Sequence, residues 1–333
     1  MNMAPSSIDV HAHFLPPAFL EEIARDPTSY GLEVEGWGEG EVTVRRTDSG
    51  ESFVVGENLF DVEARLTWIA AMGLGAQVLA PPTSVFFYDL PKEAACAVAR
   101  LFNETMRDVC RSSPKLIPAA TVPMGWPKDA SREIDHAVNE MRIPMLFIGT
   151  NVAGEDLDGA RFDPVYKKAA ELGVPIQLHP PWPSKEERLE RHYFWNLLGN
   201  PFETAVAAAS LIAGGVLDRY PELTFLLGHG GGVFPYLSGR MDHGHRKMQA
   251  ARFNGRSPRD YFDRFIFDTI VHDATALRYL IETVGPERIA IGTDSPYAMG
   301  DEGPLDTLRA VGLDQHDGVL VQNAARVLQG LIR

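Results

Sequence analysis

Two cysteines, Cys96 and Cys110, are all that the 333 residues contain. Both fall in or near one helical stretch, so a disulfide framework is not expected and a reducing cytoplasm fits. No apolar run approaches the roughly 20 residues of a membrane-spanning helix. Residues 1–7 are too few and too polar to serve as a signal peptide ahead of the first strand. Positive charge is scarce as well: 31 Lys and Arg stand against 45 Asp and Glu, for a net charge of −14. That balance argues against nucleic acid or an anionic membrane surface as a partner, although local arginines can still receive an anionic substrate. No Gly-x-Gly-x-x-Gly follows the first strand, so a dinucleotide-binding fold lacks its main support. No internal repeat or low-complexity segment is present.

What the chain does have is 45% apolar residues, ample for one large core. After an opening strand that ends in His11 and His13, short apolar runs over 76–80, 116–122, 145–149, 174–179, 223–227, 265–268 and 288–292 predict seven more strands. Amphipathic stretches over 61–72, 92–112, 129–141, 164–172, 202–213, 235–252, 274–284, 305–310 and 315–331 predict the intervening and closing helices. Strict β-then-α alternation with uniformly apolar strands points to an α/β fold, a (β/α)8 barrel formed by residues 1–333 as a single domain; an open doubly wound sheet is the structural rival. One segment breaks the rhythm. Residues 32–35, 42–45 and 52–55 alternate apolar with polar, punctuated by Gly36, Gly38, Gly40 and Asp48-Ser49-Gly50. This predicts a small antiparallel β insertion, about residues 32–56, after the first strand.

In such a barrel the active site lies at the C-terminal ends of the strands. Strand one ends in His11 and His13, whose i, i+2 spacing turns both imidazoles to one face. Strand five ends in His179, strand six in Gly228-His229-Gly230-Gly231-Gly232, and strand seven in Asp268 with His272 just beyond. Strand eight ends in Gly292-Thr293-Asp294-Ser295-Pro296. A histidine at one strand end is ordinarily a hydrogen-bonded structural residue, and an aspartate there a helix cap. So many titratable groups on one rim are hard to explain as independent accidents. His11, His13, His179 and Asp294 supply three imidazoles and a carboxylate, a nitrogen-rich set that favours Zn2+, with Mn2+ or Fe2+ as rivals. Residues 145–151 contain no lysine, so a carbamylated lysine bridging two metals is unavailable there and the site is expected to be mononuclear. His229 suits general acid/base work at neutral pH; a fifth ligand or an orienting group is the other reading. His272 is a pocket residue or a second proton donor.

The motifs Asp9-Val10-His11-Ala12-His13, Leu178-His179-Pro180, Gly228-His229-Gly230-Gly231-Gly232 and Gly292-Thr293-Asp294-Ser295-Pro296-Tyr297 together resemble the amidohydrolase superfamily over nearly the whole chain. Within it the likeness is to the aminocarboxymuconate-semialdehyde decarboxylase group, with the related resorcylate and carboxyvanillate decarboxylases. The resemblance implies a distorted TIM barrel, one Zn2+ (Mn2+ in some relatives) and non-hydrolytic C–C bond cleavage. His11, His13, His179 and Asp294 match the metal ligands, and His229 matches the histidine that activates the metal-bound water. Gly239-Arg240-Met241-Asp242 matches a stretch whose arginine reaches a neighbouring subunit's site and grips a substrate carboxylate, which implies a homodimer. A solvated helix residue is the alternative for Arg240. The family's Phe-Arg pair in the insertion is missing: Ser52-Phe53-Val54-Val55 has no arginine, while Arg45 and Arg46 belong to the preceding strand.

The expectation is therefore a metal-dependent carboxy-lyase that decarboxylates a small unsaturated or aromatic carboxylic acid. His229, Asp294 and His272 are its catalytic candidates; Arg240, Trp182, Tyr297 and Phe53 are its substrate contacts. Phe194, Trp195 and Met299 could complete an apolar wall for a planar ring. Hydrolysis of a lactone or amide, or hydration of a double bond, is the alternative chemistry for the same constellation, and a non-enzymatic binding barrel is the alternative class.

Overall fold

The computed structural model describes residues 6–38, 42–181, 187–252 and 255–328. Strand β1 (Ile8–His13) is buried along its whole length. Six short strands follow in chain order: β2 (Ala76–Ala80), β3 (Leu116–Pro118), β4 (Leu146–Gly149), β5 (Ile176–His179), β6 (Phe225–Leu227) and β7 (Phe265–Phe267). Almost every strand residue is buried, on both faces, which is why these segments read as unbroken apolar runs rather than as alternating ones. Pro81 and Pro82 stop β2, and Pro180 and Pro181 stop β5, because proline cannot donate to a continuing ladder.

Strands β1, β2 and β3 form one parallel sheet and β4 to β7 another. Isolated parallel bridges join their edges: Ala120 with Leu146, Phe267 with Ile289, and Ile291 with Asp9. The strand expected over 288–292 is reduced to these two bridging isoleucines. Its ladder is cut short because the Thr269 hydroxyl takes the backbone groups of Gly292, donating to its carbonyl at 3.3 Å and accepting from its N–H at 3.2 Å. Longer helices, including Val62–Ala71, Lys92–Cys110, Asn200–Ala213, Phe234–Lys247 and Ala274–Val284, follow the strands and bury their apolar faces. The closing helix expected over 315–331 is instead a π-turn, Gly318–Gln322, running into a short α-helix, Asn323–Val327.

The insertion is as expected. Leu32–Glu35, Val42–Arg46 and Ser52–Val55 pair antiparallel, with Leu32 opposite Arg46, Val44 opposite Phe53 and Arg45 opposite Ser52. Val42 and Val44 are buried on one face of it. Cys96 and Cys110 are both free, on the helix Lys92–Cys110. No helix among the described residues is long and apolar enough to cross a membrane.

Candidate metal centre

The two histidines of β1 do not leave the strand by simple alternation. The register with β2 jumps between Asp9↔Gln77 and Ala12↔Leu79, so β1 carries one extra residue, a bulge, at the point where His11 stands. His11 and His13 are nonetheless both fully buried, with ring centroids 5.3 Å apart. His179, at the end of β5, brings its ring within 5.0 Å of His11 and 5.1 Å of His13. Phe147 of β4, the strand without a lysine, packs against all three imidazoles and makes an apolar floor beneath them.

Each imidazole is oriented from behind. His11 Nδ1 lies 2.7 Å from Asp268 Oδ2, His13 Nδ1 2.8 Å from the Pro81 carbonyl, and His179 Nδ1 3.0 Å from the Pro180 carbonyl. Those partners can only accept, so each Nδ1 carries the proton and each Nε2 presents a lone pair. The three Nε2 atoms surround a single carboxylate oxygen: Asp294 Oδ1 is 2.9 Å from His13, 3.5 Å from His11 and 3.9 Å from His179. All four atoms are buried with no hydrogen-bond partner. Four orphaned polar atoms in one place are costly unless something satisfies them together. They lie within 4.8 Å of one another. Two donors that each bind one ion at about 2.1 Å sit roughly 3.0–4.2 Å apart, so the set needs to draw in by only about half an ångström at its widest to hold a single divalent cation.

The electrostatics agree. Burial, reinforced by any charge on His229, His11 or His13, holds His179 well below its ordinary value, and burial lowers His13. Both are neutral and free to ligate. Burial works against the charged form of His11 too, but the Asp268 hydrogen bond and the Asp294 charge raise it on balance. Burial would likewise raise Asp294, yet the facing imidazoles, His13 first, bring it well below the usual carboxylate range. Two neutral imidazoles and an ionised carboxylate thus face one point, as a cation site requires, and a bound cation would displace any proton from His11 Nε2.

His229 stands beside this set without joining it. Its Nε2 is 3.7 Å from Asp294 Oδ2 and its ring centroid 4.9 Å from that of His179. Its Nδ1 is buried without a partner. Backbone strain marks the site: His229 has φ +56° and Asp294 φ +55°, conformations that cost a non-glycine residue about 1–3 kcal/mol unless the surroundings fix them. Asp268 Oδ2 accepts the His229 N–H at 3.0 Å, and the His11 carbonyl accepts the Asp294 N–H at 2.8 Å. Two glycines give the room. A Cβ on Gly228 would stand 3.0 Å from His11 Cε1, and one on Gly292 would stand 2.6 Å from Asp268 Cβ.

A cavity of about 810 Å3 opens onto His179 and Asp294, bounded by the insertion and by the loops after β2, β5 and residues 289–291. Phe53, Tyr193, Trp195, Tyr297 and Met299 form its apolar lining, and the Tyr297 ring lies 4.9 Å from that of His13.

The sequence-derived candidates divide as follows. His11, His13, His179, Asp294 and His229 converge; Phe53 and Tyr297 line the cavity. Trp182 lies outside the described residues. His272 is exposed, with φ +56°, and is neither among the gathered donor atoms nor in the cavity lining. Arg240 is exposed on the helix Phe234–Lys247 and does not reach the cavity of its own chain. Phe194 is exposed, and its neighbour Tyr193 takes the wall position. Sequence reasoning gave Asp268 no role, though its place at the end of β7 was a signal. It also set Arg45 aside, yet Arg45 lines the cavity from opposite Ser52, paired with Glu35 at 3.2 Å.

The sequence pattern of the family described as "Amidohydrolase" matches residues 8–330. The 2-amino-3-carboxymuconate-6-semialdehyde decarboxylase of Dictyostelium discoideum is 29% identical over 308 residues, covering 91% of this chain and 85% of the relative. The enzyme of the same name from Caenorhabditis elegans is 30% identical, covering 96% of this chain and 94% of the relative. Among solved structures, a dihydroxybenzoic acid decarboxylase from Polaromonas sp., with bound manganese and the inhibitor 2-nitroresorcinol, superimposes with a TM-score of 0.76 at 22% identity, over 97% of this chain and 96% of that one. This chain belongs to the amidohydrolase family.

Proposed function

We propose that this protein is a divalent-metal-dependent decarboxylase acting on a small unsaturated or aromatic carboxylic acid. The observation that carries this reading is the set of four buried, partnerless donor atoms, His11 Nε2, His13 Nε2, His179 Nε2 and Asp294 Oδ1, in a chain whose relatives are decarboxylases. Those four atoms hold the cation. Zn2+ is our assignment from the nitrogen-rich donors; the manganese of the Polaromonas enzyme makes Mn2+ its rival. When bound, the cation supplies Lewis-acid charge that orients and polarises a substrate oxygen.

The chain's own groups do the rest. Phe53, Trp195, Tyr297 and Met299 pack a planar ring and keep water from it. His229, whose Nε2 faces Asp294 Oδ2, delivers a proton to the carbon that bears the carboxylate. The bond to the carboxylate carbon then breaks, its electron pair returns to the π system that protonation interrupted, and CO2 leaves.

We assign residues 1–333 to a single domain, a distorted (β/α)8 barrel; the isolated bridges between the edges of the two sheets support closure. A homodimer belongs to the same proposal. Phe202 and Tyr236 are 56% and 74% exposed on the helices Asn200–Ala213 and Phe234–Lys247, which supports a subunit contact there, and Arg240, one turn after Tyr236, is our candidate for a residue that serves a partner's cavity. The two free thiols suit a cytoplasmic location. Incubation with candidate aromatic and unsaturated acids, with CO2 and product quantified, tests the reaction. Stoichiometric CO2 release is expected. A product that keeps its carboxylate and gains water would replace this reading with hydrolase or hydratase chemistry.

A further inference from the structure

The helix Val62–Ala71, capped by the Asp61 carboxylate on the Ala64 N–H, sends one cation beneath the cluster. Arg65 is only 3% exposed. Its Nη2 donates to the His13 carbonyl at 2.8 Å. Its Nη1 lies 3.0 Å from Gln77 Oε1, 3.2 Å from Ser295 Oγ and 3.3 Å from the Ser295 carbonyl. That same carbonyl accepts the His13 N–H at 2.7 Å. The guanidinium thus ties β1, at its second imidazole, to the residue that follows Asp294.

The residue that precedes Asp294 is tied from the other side. Asp9 Oδ2 accepts from Thr293 Oγ1 at 2.6 Å and from Gln77 Nε2 at 2.7 Å, while Asp9 Oδ1 accepts the His11 N–H at 2.9 Å. Gln77 links the two halves, so one buried network spans Arg65, Gln77 and Asp9 and touches the residues on both sides of Asp294, the hydroxyl of Thr293 and the carbonyl and hydroxyl of Ser295. Burial lowers Arg65 to about 10, which leaves it charged at neutral pH. A buried cation is expensive unless its donors are used. Here its acceptors, Gln77 apart, belong to His13 and to the neighbour of Asp294. Asp294 itself sits at φ +55°, which a non-glycine residue keeps only where its flanks are held.

We propose that Arg65 is a positioning residue that fixes the span between the His11/His13 pair and Asp294, gathering the four donor atoms before a cation arrives. It rests on the metal reading above. The role calls for a planar fork meeting acceptors on two segments, which the single ammonium of lysine cannot reproduce.

The test uses the full chain, stripped of metal, as wild type, Arg65→Lys and Ser295→Ala. Each is titrated with Mn2+ and followed by electron paramagnetic resonance, and the thermal midpoint of each metal-free protein is recorded. Arg65→Lys is expected to bind Mn2+ about 10–100-fold more weakly, with a broadened spectrum and more spread in ligand geometry. Ser295→Ala is expected to shift the same way by less. A lowered thermal midpoint with wild-type Mn2+ affinity and spectrum in both variants would make Arg65 a fold support only and overturn the proposal. Should Arg65→Lys fail to fold, Ser295→Ala decides alone, and wild-type affinity there overturns it. If the wild type itself takes up no divalent cation, the metal reading fails and the role of Arg65 goes with it; wild-type uptake with unaltered variants removes the role of Arg65 alone.

Discussion

Asp268 holds His11 from behind: Oδ2 of the carboxylate lies 2.7 Å from the imidazole Nδ1. The same oxygen accepts the His229 backbone N–H at 3.0 Å, and Oδ1 accepts the N–H groups of Gly230 at 2.6 Å and Ile270 at 3.1 Å. One carboxylate therefore sets the tautomer of a proposed ligand and the backbone of the proposed proton donor. Asp268→Ala should weaken divalent-metal affinity about 10–100-fold, as expected when an orienting carboxylate is removed. It should also lower turnover at saturating metal, because His229 loses its anchor. Metal titration of the stripped protein, followed by rate measurements with excess metal, separates the two effects.

His229→Gln should divide chemistry from metal binding. The ring lies beside the donor set without being one of the four gathered atoms. Turnover is expected to fall about 10²–10⁴-fold, the usual worth of a positioned acid/base group, with metal stoichiometry unchanged. Elemental analysis alongside CO2 release checks this. Lost metal would instead make His229 a ligand.

Much of this site was legible in the sequence because strand ends announce themselves. His11-Ala12-His13, His179 before two prolines, and Asp294 after an apolar run each sit where a short apolar segment stops, and β-then-α alternation puts such stops on one rim. Direction was not legible. Asp268 and His272 both follow β7, four residues apart, and only the backbone path turns one into the cluster and the other to solvent. Nor does periodicity reveal that Arg65, one charge in an amphipathic helix, points inward. Apolar content alone misleads for the last strand too: Ile289-Ala290-Ile291 is apolar enough for a full ladder, but the Thr269 side chain competes for the backbone of Gly292.

The cavity wall yields a binding prediction. Phe53 and Tyr297 line it from the insertion and from the loop after Asp294. Phe53→Ala should raise KM about tenfold with kcat little changed, since the loss of apolar contact with a ring amounts to roughly 1–2 kcal/mol. Metal affinity should stay at the wild-type level. Steady-state kinetics with the identified acid supplies the check.

Stability of the metal-free protein should depend on pH through the same imidazoles. Burial keeps His179 and His13 below their ordinary values. Between those lowered values and about 6.5, where histidine titrates in the unfolded chain, the unfolded state binds more protons, so stability rises with pH there and falls on acidification. His11, which Asp268 raises against the effect of burial, has the opposite sign: its contribution is full below the unfolded value and fades as pH climbs through the folded one. Denaturant midpoints measured from pH 7.5 down to about 5 should therefore decline below about 6.5. His179→Asn, which cannot titrate, should show a shallower decline; an unchanged slope would remove His179 from the account.

The most direct measurement is metal content against activity in one preparation. Wild-type protein purified without chelator, once its substrate acid is found, should carry one divalent cation per chain, lose turnover on chelation and regain it when Zn2+ or Mn2+ is restored, while His179→Ala should bind the cation poorly and stay inactive. Full turnover by protein shown to contain no metal would contradict the proposed centre.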